Sequence, residues 1–313
     1  MTAAPSPFCA AVDWGTSSFR LWLLARDGSV LGERRSREGM NTAGGAGFGP
    51  TLENHLAILQ ASAALPVIVC GMAGARQGWV EAPYVDTPAD LSRIAEGAIT
   101  VAGAARAVRI LPGVAQRAVG ETRADVMRGE ETQAMGLGLA GDALLCMPGT
   151  HSKWVSLASG RIAGFSTFMT GEVFALLSEQ SILRHAVSAG GDVLSEREAF
   201  AGGVADAIAE PSTILNRLFS LRADGLFGQG SPAAALARLS GLVLGLEIAG
   251  GRALYPATSS MVLVASGALL ALYREAFAAA GYTVEEADAD EAVRKGLHAA
   301  ALTSFPETQG SST

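Results

Sequence analysis

The stretch AVDWGTSSFRLWLL, residues 11–24, decides the fold: an apolar run ends on Asp13, a Gly15-Thr16-Ser17-Ser18 turn follows, and a second apolar run carries Arg20. Phe8 to Asp13 and Phe19 to Arg26 read as strands. Asp27-Gly28 is a tight turn and Ser29 to Arg34 a third strand, which makes an antiparallel meander. A P-loop or dinucleotide fingerprint has its glycines between a strand and a helix, and here a strand follows instead. Such a hairpin turn still offers backbone N–H groups to an anion, its Thr and Ser hydroxyls add donors, and Gly15 lets the main chain approach closely. Asp13 then either caps the turn or partners magnesium through water, an ion that keeps several waters and one or two carboxylates.

Outward from the meander the chain alternates. Helical spacing predicts a helix over Leu52 to Ala63, a strand over Pro66 to Cys70, a helix over Asp90 to Val101, a strand over Val108 to Leu111 and a helix over Glu130 to Leu139. Glu130 and Glu131 lie in the first turn of the last, where the helix dipole favours acids. Then ALLCMPGTHSKWVSLASGRIAGFSTF, residues 143–168, repeats the opening layout, with Gly149-Thr150-His151-Ser152 in register with Gly15 to Ser18. Recurrence with the same flanks points to a duplicated domain, although a chain with 38 glycines can repeat a short motif by chance. Met147 stands where the first copy has Asp13, so one metal position is expected rather than two. A helix from Glu172 to about Gln180 follows. A long helix begins at Ser231 (N-cap) and Pro232 and runs through Leu246, with Gly241 and Gly245 allowing close packing. A strand over Met261 to Ala265, a Ser266-Gly267 turn opening a helix, a strand near Tyr282, a helix from Asp290 to Ala301 and a polar tail from Ser304 complete the reading.

The 313 residues suffice for one large domain or two, and we expect lobes at 1–140 and 141–313 that share a cleft. With 49% hydrophobic and 17% charged residues the chain is globular, and its net charge of −7 argues against nucleic acid as a partner. Cys9, Cys70 and Cys146 are far apart in apolar surroundings, which reads as buried thiols in a reducing cytoplasm rather than disulfides or a zinc site. The start shows no secretory signal. The uncharged run from Ala253 to Tyr273 has membrane length, but Pro256, Thr258, Ser259, Ser260, Ser266 and Gly267 interrupt it, so a strand, turn and helix are expected and no membrane. The four histidines show no metal-ligand spacing.

The pattern Asp13-x-Gly15-Thr16-Ser17, the second Gly149-Thr150-x-Ser152 turn and the strand-turn-helix Val262 to Gly267 resemble the phosphate-1, phosphate-2 and adenosine elements of the actin, hexokinase and sugar-kinase superfamily. Within it, VDWGTSSFRLWLL (12–24), GMAGARQGWVEAPY (71–84), MRGEETQAMG (127–136), MPGTHSKWV (147–155) and TFMTGEVFALL (167–177) are together similar to the 2-dehydro-3-deoxygalactonokinase family, over Val12 to about His298. The resemblance implies an α/β fold of two actin-like, ribonuclease H-like lobes with ATP in the cleft. It also implies transfer of the ATP γ-phosphoryl group to the 6-hydroxyl of 2-dehydro-3-deoxy-D-galactonate in galactonate breakdown.

Carried onto this sequence, the resemblance implies that Asp13 serves magnesium and phosphate and that Thr16 and Ser17 contact the β and γ phosphates. Arg20 either faces the cleft or pairs with a surface acid. Gly149, Thr150 and Ser152 become phosphate ligands, while His151 and Lys153 either bring charge to the triphosphate or are merely solvated. Ser266 and Gly267 border the adenosine or simply open a helix. The general base belongs at "RGEET": Glu130 and Glu131 point about 100° apart on a helix, so one faces the cleft. Glu130 is taken as the base and Glu131 as its dipole partner. Arg76, Trp79, Tyr84, Thr170, Gly171 and Glu172 are candidates for the sugar acid, against core packing for Trp79 and Tyr84 and first-turn dipole stabilisation for Glu172 after a Thr170 N-cap. Expected partners are ATP and the sugar acid, with a homodimer admissible. A kinase for another sugar acid, a phosphohydrolase on the same fold and a non-enzymatic actin-like ATP-binding protein stand as alternatives.

Overall fold

A computed structural model describes residues 5–43, 47–120, 122–187, 191–256 and 261–306. Two compact units result. The first holds residues up to Asp142, Leu157–Gly164 and the segment from Ala289; the second holds Ala143–Ser156 and Phe165–Asp288. The lobes expected at 1–140 and 141–313 are each continuous, whereas the first unit also takes in Leu157–Gly164 and the segment from Ala289.

The first unit opens with the expected meander, β1 (Cys9–Trp14), β2 (Phe19–Leu24) and β3 (Val30–Ser36), followed by α1 (Met40–Ala43), α2 (Phe48–Ile58) and β4 (Val67–Gly71). Next come β5 (Tyr84–Asp86), β6 (Ala89–Asp90), β7 (Ile99–Thr100), β8 (Val108–Ile110), β9 (Gly113–Gln116), β10 (Asp125–Met127) and α3 (Glu130–Leu137). The main sheet has the order β3-β2-β1-β4-β8-β7, with β1, β4 and β8 parallel and β2 and β3 antiparallel to their neighbours. Alternation sorts its residues into two cores. Ala10, Val12, Leu21, Leu23, Val67 and Val69 pack with Leu52 and Leu56 of α2. Cys9, Ala11, Trp22, Leu24, Ile68 and Cys70 pack with Val293, Leu297, Ala300 and Ala301 of α9 (Ala289–Ser304).

The second unit runs β11 (Ala143–Met147), β12 (Ser152–Ala158), β13 (Arg161–Phe168), α4 (Thr170–Ala175), α5 (Arg197–Ala209), α6 (Ile214–Leu226), α7 (Pro232–Leu254), β14 (Met261–Ala265), α8 (Gly267–Ala279) and β15 (Glu285–Asp288). Its strand order, β15-β14-β11-β12-β13, repeats β8-β4-β1-β2-β3 of the first unit, with β11, β14 and β15 parallel. The duplication expected from the two Gly-Thr turns is therefore carried by two whole sheets. The tip of the β12–β13 hairpin, Leu157–Gly164, belongs to the first unit, where Arg161 and Ile162 pair with Asp90 and Ala89. Ser231 caps α7 through the Ala234 N–H, with Pro232 at the first helical position. Gly241 and Gly245 let α5 touch α7 backbone to backbone: a Cβ on Gly241 would collide with the Phe200 carbonyl oxygen.

Several boundaries differ from those expected. Leu52 to Ala63 is helical only to Ile58, and the helix starts earlier, at Phe48. Asp90 to Val101 is not an α-helix: Asp90 ends β6 and accepts from the Ser92 N–H, Leu91–Gly97 is a 3₁₀ helix, and Ile99–Thr100 pairs with β8. Sheet pairing outweighs helical spacing there. The segment from Glu172 begins helical at Thr170 and widens into a π turn over Leu176–Gln180. The long helix continues past Leu246 to Leu254, and the strand expected near Tyr282 forms at Glu285–Asp288, leaving the Tyr282 ring edge-on to Phe277. Of the run from Ala253 to Tyr273, residues 257–260 lie outside the described residues and the rest forms the expected strand, glycine turn and helix. Of the tail, Ser304 closes α9 and residues 307–313 lie outside the described residues.

Candidate functional site

Strand register builds the first half of the site. Asp13 stands opposite Arg20 on β2 and Cys70 on β4, and Arg20 opposite Arg35 on β3. Residues directly opposite on neighbouring strands share a face. Asp13 Oδ2 pairs with Arg20 Nη2 at 2.6 Å, Arg20 Nη1 pairs with Asp290, and Arg35 Nη1 reaches the same Asp290 carboxylate at 2.5 Å. Asp290 lies in the first turn of α9, where the helix dipole favours an acid. Burial raises the Asp13 pKa, Arg20 opposes this, and the charges of Asp290 and Glu130 add to the rise. Burial lowers the Arg20 pKa, but Asp13 and Asp290 outweigh it and the net shift is upward. We take the pair as ionised, because both partners of Arg20 are charged acceptors at hydrogen-bond range.

The turn beyond Asp13 is closed by the Gly15 N–H donating to the Ser18 carbonyl at 2.8 Å, so that donor is not the one offered to a ligand. Thr16 and Ser17 are exposed. The segment after Glu38 buttresses the turn: Met40 and Asn41 N–H groups donate to the Gly15 and Thr16 carbonyls, and a Cβ on Gly39 would lie 2.5 Å from the Ser17 backbone.

At the start of α3 the two glutamates separate as geometry demands. Glu131 is fully buried, and its carboxylate accepts from the Gly129 N–H at 2.8 and 2.9 Å and from Thr132 Oγ1 at 3.1 Å. Burial, with the nearby Glu130 charge, raises its pKa to about 8. Glu130 is half-buried, accepts from the Arg128 N–H at 3.1 Å, and is close enough for its charge to act on Asp13. Arg76 is exposed, Trp79 stacks on Phe48 at 6.1 Å beside Trp14, and Tyr84 is exposed with its ring under the Arg128 guanidinium at 4.4 Å. Core packing thus accounts for Trp79 but not for Tyr84.

In the second unit the structure joins two motifs that are separate in sequence. The Glu172 N–H donates to the Thr150 carbonyl at 3.0 Å, the His151 ring meets the Glu172 carboxylate at 2.5 Å, and a Cβ on Gly171 would lie 2.6 Å from the Gly149 carbonyl oxygen. Thr170 to Glu172 therefore adjoin the Gly149–Ser152 turn. Thr170 is a buried first helical residue and not the expected N-cap, which is Met169. Lys153 is buried, with Nζ donating to the His151 carbonyl at 3.1 Å, and is not a solvated side chain. The Ser152 hydroxyl, expected on a phosphate, instead donates inward to Glu247 at 2.7 Å, leaving its backbone as the group the turn can offer. Glu247 of α7, buried, also accepts from Trp154 Nε1 and from the Tyr273 hydroxyl, both at 2.8 Å. Ser266 Oγ donates to Asp288 at 2.8 Å, and Gly267 starts α8 at φ +61° with open space where a Cβ would be.

Sequence reasoning missed Asp290 and Glu247. Asp290 carried a signal, an acid in the first turn of the last helix; Glu247 carried none, being one acid inside an apolar helix.

Two ribonuclease H-like sheets of one strand order, each with a glycine-threonine hairpin after its first strand, define an actin-like ATPase of the sugar-kinase class. The family model described as 2-keto-3-deoxy-galactonokinase matches residues 13–300. A Rhizobium meliloti protein named "Probable 2-dehydro-3-deoxygalactonokinase DgoK1" is 51% identical over 302 residues, 96% of this chain and 98% of its own. The Escherichia coli 2-dehydro-3-deoxygalactonokinase is 34% identical over 294 residues, 93% of this chain and 96% of its own. The "Crystal structure of a putative 2-dehydro-3-deoxygalactonokinase protein from Sinorhizobium meliloti" superposes with a TM-score of 0.88 at 50% identity, covering 96% of this chain and all of that one. The chain belongs to the 2-keto-3-deoxy-galactonokinase family.

Proposed function

We propose that this chain transfers the γ-phosphoryl group of ATP to the 6-hydroxyl of 2-dehydro-3-deoxy-D-galactonate, giving ADP and the 6-phosphate in galactonate breakdown. The observation that carries the reading is the recurrence of the glycine-threonine hairpin at the same place in two sheets of one strand order. Each hairpin offers backbone N–H groups and hydroxyls to phosphate oxygens: Thr16 and Ser17 in the first unit, Gly149, Thr150 and the Ser152 backbone in the second. Ser266 and Gly267 border the adenosine, where the bare Gly267 leaves room.

Glu130 is the base in this reading. It orients the 6-hydroxyl and takes its proton as the oxygen bonds to the γ-phosphorus and the bond to the β–γ bridging oxygen breaks. Support comes from Glu131 being fully buried and engaged with its own helix start, so that the half-buried Glu130 is the one assigned to the hydroxyl. Asp13 and Asp290, carboxylates gathered around Arg20, are hard oxygen donors of the kind magnesium takes. Asp13 would hold the ion largely through water, and the ion would neutralise charge on the phosphates. Arg20 keeps the two carboxylates together. Three free, buried cysteines support a reducing, cytosolic setting.

A coupled ADP-release assay across keto-deoxy sugar acids tests the reading, with the product identified as phosphosugar or free phosphate. Turnover accelerated by no acid, or free phosphate as the sole product, overturns it.

A further inference from the structure

Arg128, just before the two glutamates, is a cation with two buried donors unmet among the described residues. Its Nη2 donates to the Ala82 carbonyl at 2.8 Å, but Nε and Nη1 are buried and meet no acceptor among the described residues. No carboxylate pairs with its guanidinium there either: Glu130, the nearest acid in sequence, accepts from the Arg128 backbone N–H instead. A guanidinium carries five donors in a rigid fork, and burying part of that fork without acceptors is costly.

The slot that holds it is carved by two glycines. A Cβ on Gly74 would lie 2.8 Å from Arg128 Nη1 and 2.9 Å from Ile110, so only glycine leaves room for the guanidinium. On the other side Tyr84 stands opposite Gly113 in the β5–β9 pairing, and a Cβ on Gly113 would lie 2.8 Å from the tyrosine ring. That bare position lets the ring lie flat enough to sit 4.4 Å from the Arg128 guanidinium carbon, and Tyr84 remains 39% exposed. Arg128 thus ties the 71–84 stretch to the 127–136 stretch, with a tyrosine as the wall toward solvent and the glutamate base two residues along.

We propose that Arg128 anchors the planar 2-keto carboxylate of the sugar acid, with Tyr84 covering that end of the substrate. The inference rests on the kinase reading above and names how its site selects an acid over a neutral sugar. An α-keto carboxylate offers coplanar oxygens that match a guanidinium fork, which an ammonium cannot reproduce. In this reading the reacting hydroxyl at the opposite end of the six-carbon chain meets Glu130, two residues along from Arg128.

The test is steady-state kinetics with 2-dehydro-3-deoxy-D-galactonate and its neutral C1 methyl ester, on the wild type, Arg128→Met and Arg128→Lys. The wild type favours the acid. Arg128→Met raises KM for the acid by about 10- to 100-fold, leaves KM for ATP within about twofold, and abolishes the preference for acid over ester, while Arg128→Lys keeps the charge and recovers part of it. If Arg128→Met does not fold, Arg128→Lys alone still shows the raised KM for the acid. Wild-type KM and acid preference in either variant overturn the anchor while leaving the kinase intact. A wild type that turns over no keto-deoxy acid overturns the kinase reading and the anchor with it.

Discussion

Replacing Glu131 with glutamine separates burial from chemistry at the start of α3. Glu131 is fully buried, and its pKa is raised from 4.5 to about 8. A carboxyl with a higher pKa folded than unfolded takes up a proton on folding. Its contribution to stability is therefore fully present below pH 4.5 and is lost as the pH rises through 8. Each unit of pKa corresponds to about 1.4 kcal/mol, so the full shift bounds the loss at about 5 kcal/mol. In Glu131→Gln the side chain is neutral throughout, keeps one acceptor for the Gly129 N–H and gives up the second, at a constant cost of about 1 kcal/mol. Urea unfolding of both proteins at half-unit steps from about pH 4.5 to about pH 8.5 measures the effect across the window that the shift defines. The wild type is the more stable at low pH. Its advantage falls by up to about 1.4 kcal/mol per pH unit and reverses before about pH 8. Curves that stay parallel across that range refute the argument, because they would mean that Glu131 remains ionised in the folded protein. The kcat at neutral pH changes by less than about threefold, since the side chain faces its own helix start and not a substrate.

Glu130→Gln lowers kcat by about 10²-fold or more with little change in KM, read by the same ADP-release assay. Asp13→Asn shifts the magnesium dependence of turnover to higher concentration. It also costs about 1–3 kcal/mol in urea unfolding, below the loss for a stranded buried arginine, because Asp290 still pairs with Arg20. Gly136→Ala gains helix propensity of about 1 kcal/mol yet lowers Tm, because its Cβ would collide with the Ala292 carbonyl oxygen of α9 and overpacking against backbone costs more, about 1–3 kcal/mol or above. An unchanged Tm would mean that α3 and α9 part without resistance.

Local chemistry in the sequence determined much of this protein. Alternating apolar runs around Gly15 and Gly149 are enough to specify two strand-turn-strand units. Ser231 and Pro232 mark the start of α7, and the adjacency of Glu130 and Glu131 already requires that they face different ways. Each of these is a short-range property of a few neighbouring residues. What the tertiary structure decided involves partners far apart in the chain. Whether Asp90 to Val101 would be helix or strand depended on pairing with β8 and β13, which local spacing does not encode. The Asp13–Arg20–Asp290–Arg35 ladder needs three strands in one register and the first turn of a helix from the far end of the chain. Ser152 turned away from the surface because Glu247, buried in an apolar helix, is met by donors that β11, β12 and α8 bring to it from elsewhere in the chain. A buried charge must be met by whatever the fold places beside it, and that neighbour is set by packing over the whole unit, not by the residues next to it in sequence.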